Sequence, residues 1–482
     1  MRLSNRITAT CFLLAAGCAT CAASQPRFKT MALFRGKNGA RPSGAMIQGL
    51  DGNLYSTTSG IPGHRNLKGL VFRITPAGAL TTVHALPGFS VSGLALGTDG
   101  TFYGTTTGDP RGPSGVFQAT AAGALTDLYS TCLNCGPGWD FYAPLYRAND
   151  GNFYGTTVDS GTNSSGTVFR ITPAGSFTTL YNFCPQTGCA DGRSSYAPLI
   201  QASDGNLYGT NAFGGNYPTC PDSAGCGTIF RITLDGALTT VYTFCQQTNC
   251  PDGAHPFAGL LQASDGELYG TTAGTGAPVA NAGTIFKITT EGAFTLLHTF
   301  GTLPNGADGA NPMAGLIQAT DGNFYGTTTF GADFGGGVIF QLTPAGVLTP
   351  LHHFCPTNNR CPEGGGPYDS LFQATDGNFY GTAYGGYAPK FGSVFRLSMG
   401  LAPFVRALPG YGSAGSQITI LGSHLSGASG VTFGGVPAAS FSVNPTGTAI
   451  TATVPTGAKS GEIRVRTIRR SLKSDVPFVV TP

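Results

Sequence analysis

An Asp-Gly pair returns seven times along this chain, at Asp51, Asp99, Asp150, Asp204, Asp265, Asp321 and Asp376, roughly every fifty residues. Four residues after each Asp stands a tyrosine (Tyr55, Tyr103, Tyr154, Tyr208, Tyr269, Tyr325, Tyr380), and two residues beyond that a threonine. Farther on, each unit carries an aliphatic-Phe pair ending in Phe72, Phe117, Phe169, Phe230, Phe286, Phe340 or Phe395. A chain repeating at this period must bury each unit against its neighbour, because a lone small sheet cannot cover both of its faces.

One unit displays four strands. Pro198 to Ala202 is apolar, Asp204-Gly205-Asn206 is a tight hairpin turn that needs positive φ, and Leu207 to Thr210 follows. Gly227 to Thr233 is the third strand, Leu234-Asp235-Gly236 turns the chain, and Ala237 to Phe244 is the fourth. Seven four-stranded antiparallel units predict a β-propeller with tyrosine and phenylalanine packed between blades. The pattern stops after the third strand of the last unit. Phe28 to Phe34, ahead of the first unit, matches the missing fourth-strand column and is expected to complete that blade, leaving no exposed edge at the seam. With 74 glycines and 10% charged residues the chain could pass for a low-complexity coil, but 11% aromatic and 41% hydrophobic residues argue for packed short strands.

These units resemble the GloVer tandem-repeat (choice-of-anchor) family, in which a unit reads D-G-N-L-Y-G-T-T, then G-T-V-F-R-I-T-P-x-G, then T-T-L-Y-x-F. The resemblance runs from Phe28 to about Ala402. Unit one departs with Ser56 in place of glycine, and unit two with Ala119 to Gly123 in place of the usual third-strand end and turn. The resemblance implies a surface or secreted bacterial protein and brings no established chemistry. Its members commonly end in an anchoring tail, and none is expected after Val479 to Pro482 here.

Residues 403–482 break the period. Ala414 to Gly422, Val431 to Gly435, Ile450 to Pro455 and Gly461 to Val465 alternate apolar and polar residues between Gly and Pro turns, which predicts a small β-sandwich. These segments are similar to the IPT/TIG immunoglobulin-like family, apart from Arg469-Arg470-Ser471, where such domains usually place a Gly-containing hairpin. That resemblance implies a spacer or adhesive module. The expected fold is therefore all-β: a seven-bladed propeller over residues 27–402, then an Ig-like domain over 403–482.

Residues 1–24 read as a signal peptide, with Arg2 and Arg6, the apolar run Ile7 to Ala16, and small residues after it. Leu14 to Cys18 also resembles a bacterial lipobox, so ordinary secretion and lipid anchoring through Cys18 both stand. No later run is apolar and long enough for a membrane helix. Export agrees with the other cysteines, which form close pairs: Cys132/Cys135, Cys184/Cys189, Cys220/Cys226, Cys245/Cys250 and Cys355/Cys361. Local pairs in an exported chain favour disulfides. Only the first has the C-x2-C spacing of a zinc half-site, and it lacks a partner motif. No metal or other cofactor is expected.

Charge divides along the chain. The C-terminal domain holds seven basic and two acidic residues, and Arg464, Arg466, Arg469 and Arg470 are candidates for contact with an anionic envelope polymer, or else a solvated strand face. Nucleic acid is not an expected partner of an exported chain without a recognition motif.

The Asp-Gly-Asn and Pro-Ala-Gly turns fall on one side of the disc. The long connections and all the cysteine pairs fall on the other, where binding is expected. There Trp139, the single tryptophan, is followed by Asp140, Phe141 and Tyr142, a combination suited to stacking on sugar or peptide. The alternative is a loop aromatic tucked onto the next blade. His255 joins Trp139, Asp140 and Tyr142 as a ligand-binding candidate. Asp191, Asp252, Asp308 and Glu363 recur before the first strand, either ringing the channel mouth around a cation or capping turns. No catalytic constellation stands out, so a binding or adhesion protein recognising glycan or protein is expected. A carbohydrate-active or lactone-cleaving enzyme and a purely structural envelope component are the alternatives.

Overall fold

The computed structural model describes residues 25–61, 68–89, 92–108, 114–131, 140–186, 188–215, 220, 224–274, 282–332, 335–355, 361–385 and 391–481. Seven four-stranded antiparallel sheets follow one another along the chain as the blades of a propeller. Blade 4 is typical: Ile200–Gln201 is innermost, then come Leu207–Asn211, Thr228–Ile232 and Leu238–Thr243.

Blade 7 is closed by the chain's opening strand. Arg27–Leu33 pairs with Ser393–Ser398, Phe28 opposite Leu397 and Thr30 opposite Phe395. The other six blades shift register at the aliphatic-Phe pair of the third strand, as between Ile285 and Phe286. The clasp keeps the same bulge between Thr30 and Ala32, so it occupies the fourth-strand column in register as well as in place.

The repeated residues make the interblade core. Each repeat tyrosine is almost fully buried, and its ring lies against the next blade: Tyr55 on Phe102 at 4.3 Å, Tyr269 on Phe324 at 4.2 Å, Tyr325 on Phe379 at 4.4 Å. A buried phenol needs a hydrogen-bond acceptor. In six blades the Asp of the turn supplies it, 2.8 Å from the tyrosine oxygen in Tyr154–Asp150, Tyr208–Asp204 and Tyr269–Asp265, while Asp99 of blade 2 bonds Thr101. The Asp therefore holds both the turn and the tyrosine. The glycine after the tyrosine has a different cause: a Cβ at Gly155, Gly209 or Gly270 would lie 2.5 Å from the third-strand Phe ring. In blade 1 that position is Ser56, whose hydroxyl donates to Gly44 O at 2.6 Å.

Two further ties run from blade to blade. The repeat threonine donates to a carbonyl at the start of the next inner strand, as Thr57 to Ser92 O at 2.6 Å and Thr210 to Ala258 O at 3.0 Å. At the opposite end, an inner-strand glutamine accepts the N–H just before the Asp of the preceding blade. Gln201 takes Asn149 N, Gln262 takes Ser203 N and Gln318 takes Ser264 N, each at 2.8 Å. Blades 2 and 3 carry Leu96 and Arg147 in that column.

The C-terminal domain is a sandwich of two four-stranded sheets, with Ile418, Ile420, Phe433, Ile450, Val465 and Phe478 in its core. It packs on the Asp-Gly side of the disc. Leu421 and Ala449 join a cluster with Leu96 and Phe102, beside the half-buried Leu50 and Leu408. Leu50 O accepts from Thr448 Oγ1 at 2.7 Å and from Asn444 Nδ2 at 3.0 Å. Phe404 N donates to Thr375 O, and Tyr411 OH to Ala148 O. The domain thus rests on inner-strand ends from blades 7, 1, 2 and 3, and Leu96, where the glutamine is missing, becomes part of its apolar footing.

Candidate functional site

The mouth of the central channel on the long-connection side opens into a pocket of about 450 Å³, lined by the starts of the inner strands. Two adjacent columns of the repeat build its wall. The first reads Ser43, Tyr142, Tyr196, Phe257, Met313 and Tyr368 in blades 1 and 3 to 7, and all six line the pocket. The second reads Gly44, Ser92, Ala143, Ala197, Ala258 and Ala314 through blade 6, then Asp369 in blade 7. The threonine ties fix this wall, since they end on the carbonyls of the second column. The first column is free to vary because its side chains face the mouth instead of the interblade core.

The aromatics form an arc. Tyr142 lies 5.5 Å from Tyr196, Tyr196 lies 5.3 Å from Phe257, and Tyr368 meets Tyr384 edge-on at 5.0 Å, with Arg41 5.4 Å from the Tyr384 ring. Burial raises the phenols of Tyr142, Tyr196 and Tyr368, so they stay neutral donors and acceptors.

Asp369 is the carboxyl of the pocket lining. Burial pushes it up to about 8, against a backbone hydrogen bond from Ser370 that favours ionisation. A carboxyl raised this far favours its neutral, donating form at neutral pH. Asp140 and Asp159 stand behind Tyr142 and Tyr196. Both are raised, Asp140 by burial and by the charge of Asp159, and Asp159 by burial. Among the described residues Asp159 Oδ1 is buried without a hydrogen-bond partner.

Of the residues expected to bind ligand, Tyr142 lines the mouth and Asp140 lies beside it. His255 is set back, its ring 6.4 Å from Phe257 and its Nδ1 3.0 Å from Ala212 O. Trp139, Cys132, Cys135 and Cys18 lie outside the described residues. Asp369, Tyr196, Phe257 and Tyr368 were not singled out from the sequence, although Asp369 breaks its column visibly.

The recurring acids cap turns. Asp252 accepts from Tyr242 OH and Cys245 N, both at 2.9 Å, and Asp191 does the same with Tyr181 and Cys184. Asp308 meets His298 at 3.0 Å and Thr302 N at 3.2 Å. These carboxylates tie the outer strand to the loop that follows it, away from the channel mouth. The four cysteine pairs within the described residues are disulfides: Cys184–Cys189, Cys220–Cys226, Cys245–Cys250 and Cys355–Cys361. The sulfurs of Cys226, Cys245 and Cys250 lie within 4.8 Å of one another, but each is half of a disulfide and offers no thiolate to a metal.

Among the described residues, no helix is long and apolar enough to cross a membrane. In the C-terminal domain the exposed Glu462 engages Arg464 at 2.8 Å and Lys473 at 3.5 Å.

No curated protein matches the sequence. Among solved structures, a fungal alcohol oxidase of the AA5 family, determined with copper, is similar over 93% of this chain and 99% of its own, at 12% identity and a TM-score of 0.51. The periplasmic gluconolactonase PpgL of Pseudomonas aeruginosa is similar over 68% of this chain and 92% of its own, at 16% identity and a TM-score of 0.42. At such identity the likeness to the oxidase speaks to fold alone. The Gloeobacter/Verrucomicrobia repeat matches residues 18–217, 89–304 and 219–437, and the IPT/TIG domain matches residues 404–479. With the repeat matched through all seven blades, the chain belongs to the Gloeobacter/Verrucomicrobia repeat family and carries an IPT/TIG domain behind its propeller.

Proposed function

We propose that this is an exported binding protein of the adhesion type, recognising glycan at the channel mouth on the long-connection side of the propeller. The observation that carries the reading is the arc of Tyr142, Tyr196, Phe257 and Tyr368 lining one pocket with the carboxyl of Asp369, which burial raises. Aromatic faces stack on the C–H faces of sugar rings, and phenols with a neutral acid meet hydroxyls without the cost of burying a charge. Export rests on residues 1–24, by secretion or by a lipid on Cys18.

The test is a glycan array on the mature chain, followed by calorimetry with the best neutral oligosaccharide. Tyr196→Ala and Phe257→Ala are expected to weaken binding about fivefold or more each. Arg464→Ala, away from the mouth, is expected to leave it unchanged. An array without neutral-glycan signal, or mouth variants that bind like the parent, would end this reading.

Asp369 also supports a second reading, opening of a glycosidic or lactone bond in the bound sugar. An acid held protonated near neutral pH is what a general acid requires. Under that reading Asp369→Asn abolishes turnover while binding persists.

A further inference from the structure

A second cavity, larger than the channel mouth, lies between the two domains on the Asp-Gly side and measures about 780 Å³. Its propeller wall includes Gln48, Pro76 and Tyr380, and its other wall comes from His424, Thr446 and the hairpin tip Ile468 to Arg470. The size is within the range of about 300–1,000 Å³ common to small-ligand clefts, which concentrate where domains meet.

The charges in this cleft are unbalanced. The acid in its lining, Asp376, is already committed, accepting from Asn378 N, Asn378 Nδ2 and Tyr380 OH at 2.9 Å each. Arg464, Lys473 and Arg406 have acidic partners in Glu462 and Asp475. Arg469 and Arg470 have none among the described residues, and both are exposed at the cleft edge. Beside them Ile468 is 89% exposed, the most exposed large hydrophobic side chain among the described residues. The hairpin tip thus presents two unpaired guanidinium groups and an uncovered apolar side chain to a preformed cleft.

The geometry points to an acidic oligosaccharide site between the domains, with Arg469 and Arg470 gripping a uronate carboxylate and Ile468 and Pro76 covering the sugar's C–H faces. Guanidinium forks match carboxylates in two parallel hydrogen bonds. Thr446 and His424 supply partners for hydroxyls. This site is independent of the channel mouth, lies on the opposite side of the disc, and takes a charged ligand where the mouth takes a neutral one.

The test is calorimetry of trigalacturonate with the mature full-length chain, beside its methyl ester and a sulfated trisaccharide. Trigalacturonate is expected to bind, and both the ester and the Arg469→Ala/Arg470→Ala double variant are expected to lose about tenfold or more. Arg464→Ala is expected to match the parent. Both arginines lie on an exposed hairpin, and the Arg469→Gln/Arg470→Gln pair repeats the measurement if the alanine form melts early. No binding at about 10 mM overturns the proposal, as does an equal loss in Arg464→Ala, which would mean general attraction to a basic domain. Preference for the sulfated sugar alone overturns the assignment to uronates. Loss in Tyr196→Ala without loss in the arginine variants would move the acidic sugar to the channel mouth.

Discussion

Gln48 in the first blade accepts the backbone N–H of Thr375 in the seventh, 3.1 Å away and 327 residues distant along the chain. This is the glutamine tie found between consecutive blades, here made across the seam, and it acts beside the clasp strand Arg27–Leu33. The two differ greatly in weight. Gln48→Leu is expected to cost about 1 kcal/mol, the net worth of one hydrogen bond. Deleting residues 25–33 strips the partner from Ser393–Ser398 and exposes a strand edge, so aggregation is expected where the parent stays monodisperse. Chemical denaturation measures the first effect and light scattering the second.

His352 faces the same seam. Its ring stacks on Phe28 of the clasp at 3.7 Å, and burial, with the neighbouring His353, holds its pKa down at about 4. Glu363 is 3.8 Å off and already accepts Cys355 N, so it does not compensate. Below pH 6.5 the unfolded chain takes up a proton that the folded chain refuses until about pH 4. Stability should fall as pH drops through that window, by about 1–3 kcal/mol. His352→Tyr, the residue of the same column in Tyr181 and Tyr242, should remove this slope in acid melting curves.

Asp369 should titrate in the opposite sense. The folded state keeps its proton up to about pH 8, whereas the unfolded state releases it near 3.8. Its contribution therefore destabilises the fold increasingly as pH rises between those values. Asp369→Asn should melt higher than the parent at pH 7, by the equivalent of about 1–2 kcal/mol once partial exposure is allowed for. Affinity for neutral glycan should decline above pH 8 in the parent and stay flat in the variant.

The disulfides close loops of only five or six residues along the chain. Each is expected to contribute about 2 kcal/mol through the unfolded state. Full reduction should lower the melting temperature while far-UV circular dichroism at 25 °C stays that of the folded β protein, because the blades hold their own cores.

The fold was legible because its determinants repeat. Tyr208, Asp204 and Gly209 do the same work as their counterparts in most blades, so periodicity alone separates them from the variable residues. Even the clasp could be read, since Phe28 to Phe34 matched a column with a vacancy. The site was only partly legible. Tyr142 is marked in sequence by the aromatic and acidic residues around it, whereas Asp369 lies close to the more regular acids Asp191, Asp252, Asp308 and Glu363, which cap outer loops. Comparing Asp369 with Ala143, Ala197, Ala258 and Ala314 would have exposed it. Nothing of that kind could have revealed the cleft at Arg469 and Arg470. It depends on how one domain seats on the other, and Leu50, Leu96 and Leu421 look in sequence like ordinary core positions.

Leu96 has a consequence for how a symmetrical disc acquires direction. Seven interchangeable wedges would offer a partner module seven equivalent berths, and the module's orientation would be arbitrary. Replacing the polar fastener by a greasy side chain at Leu96 and by Arg147 in the next wedge marks one arc of the rim as the berth. The two departures from the repeat cost the ring two latches and give the wheel a north.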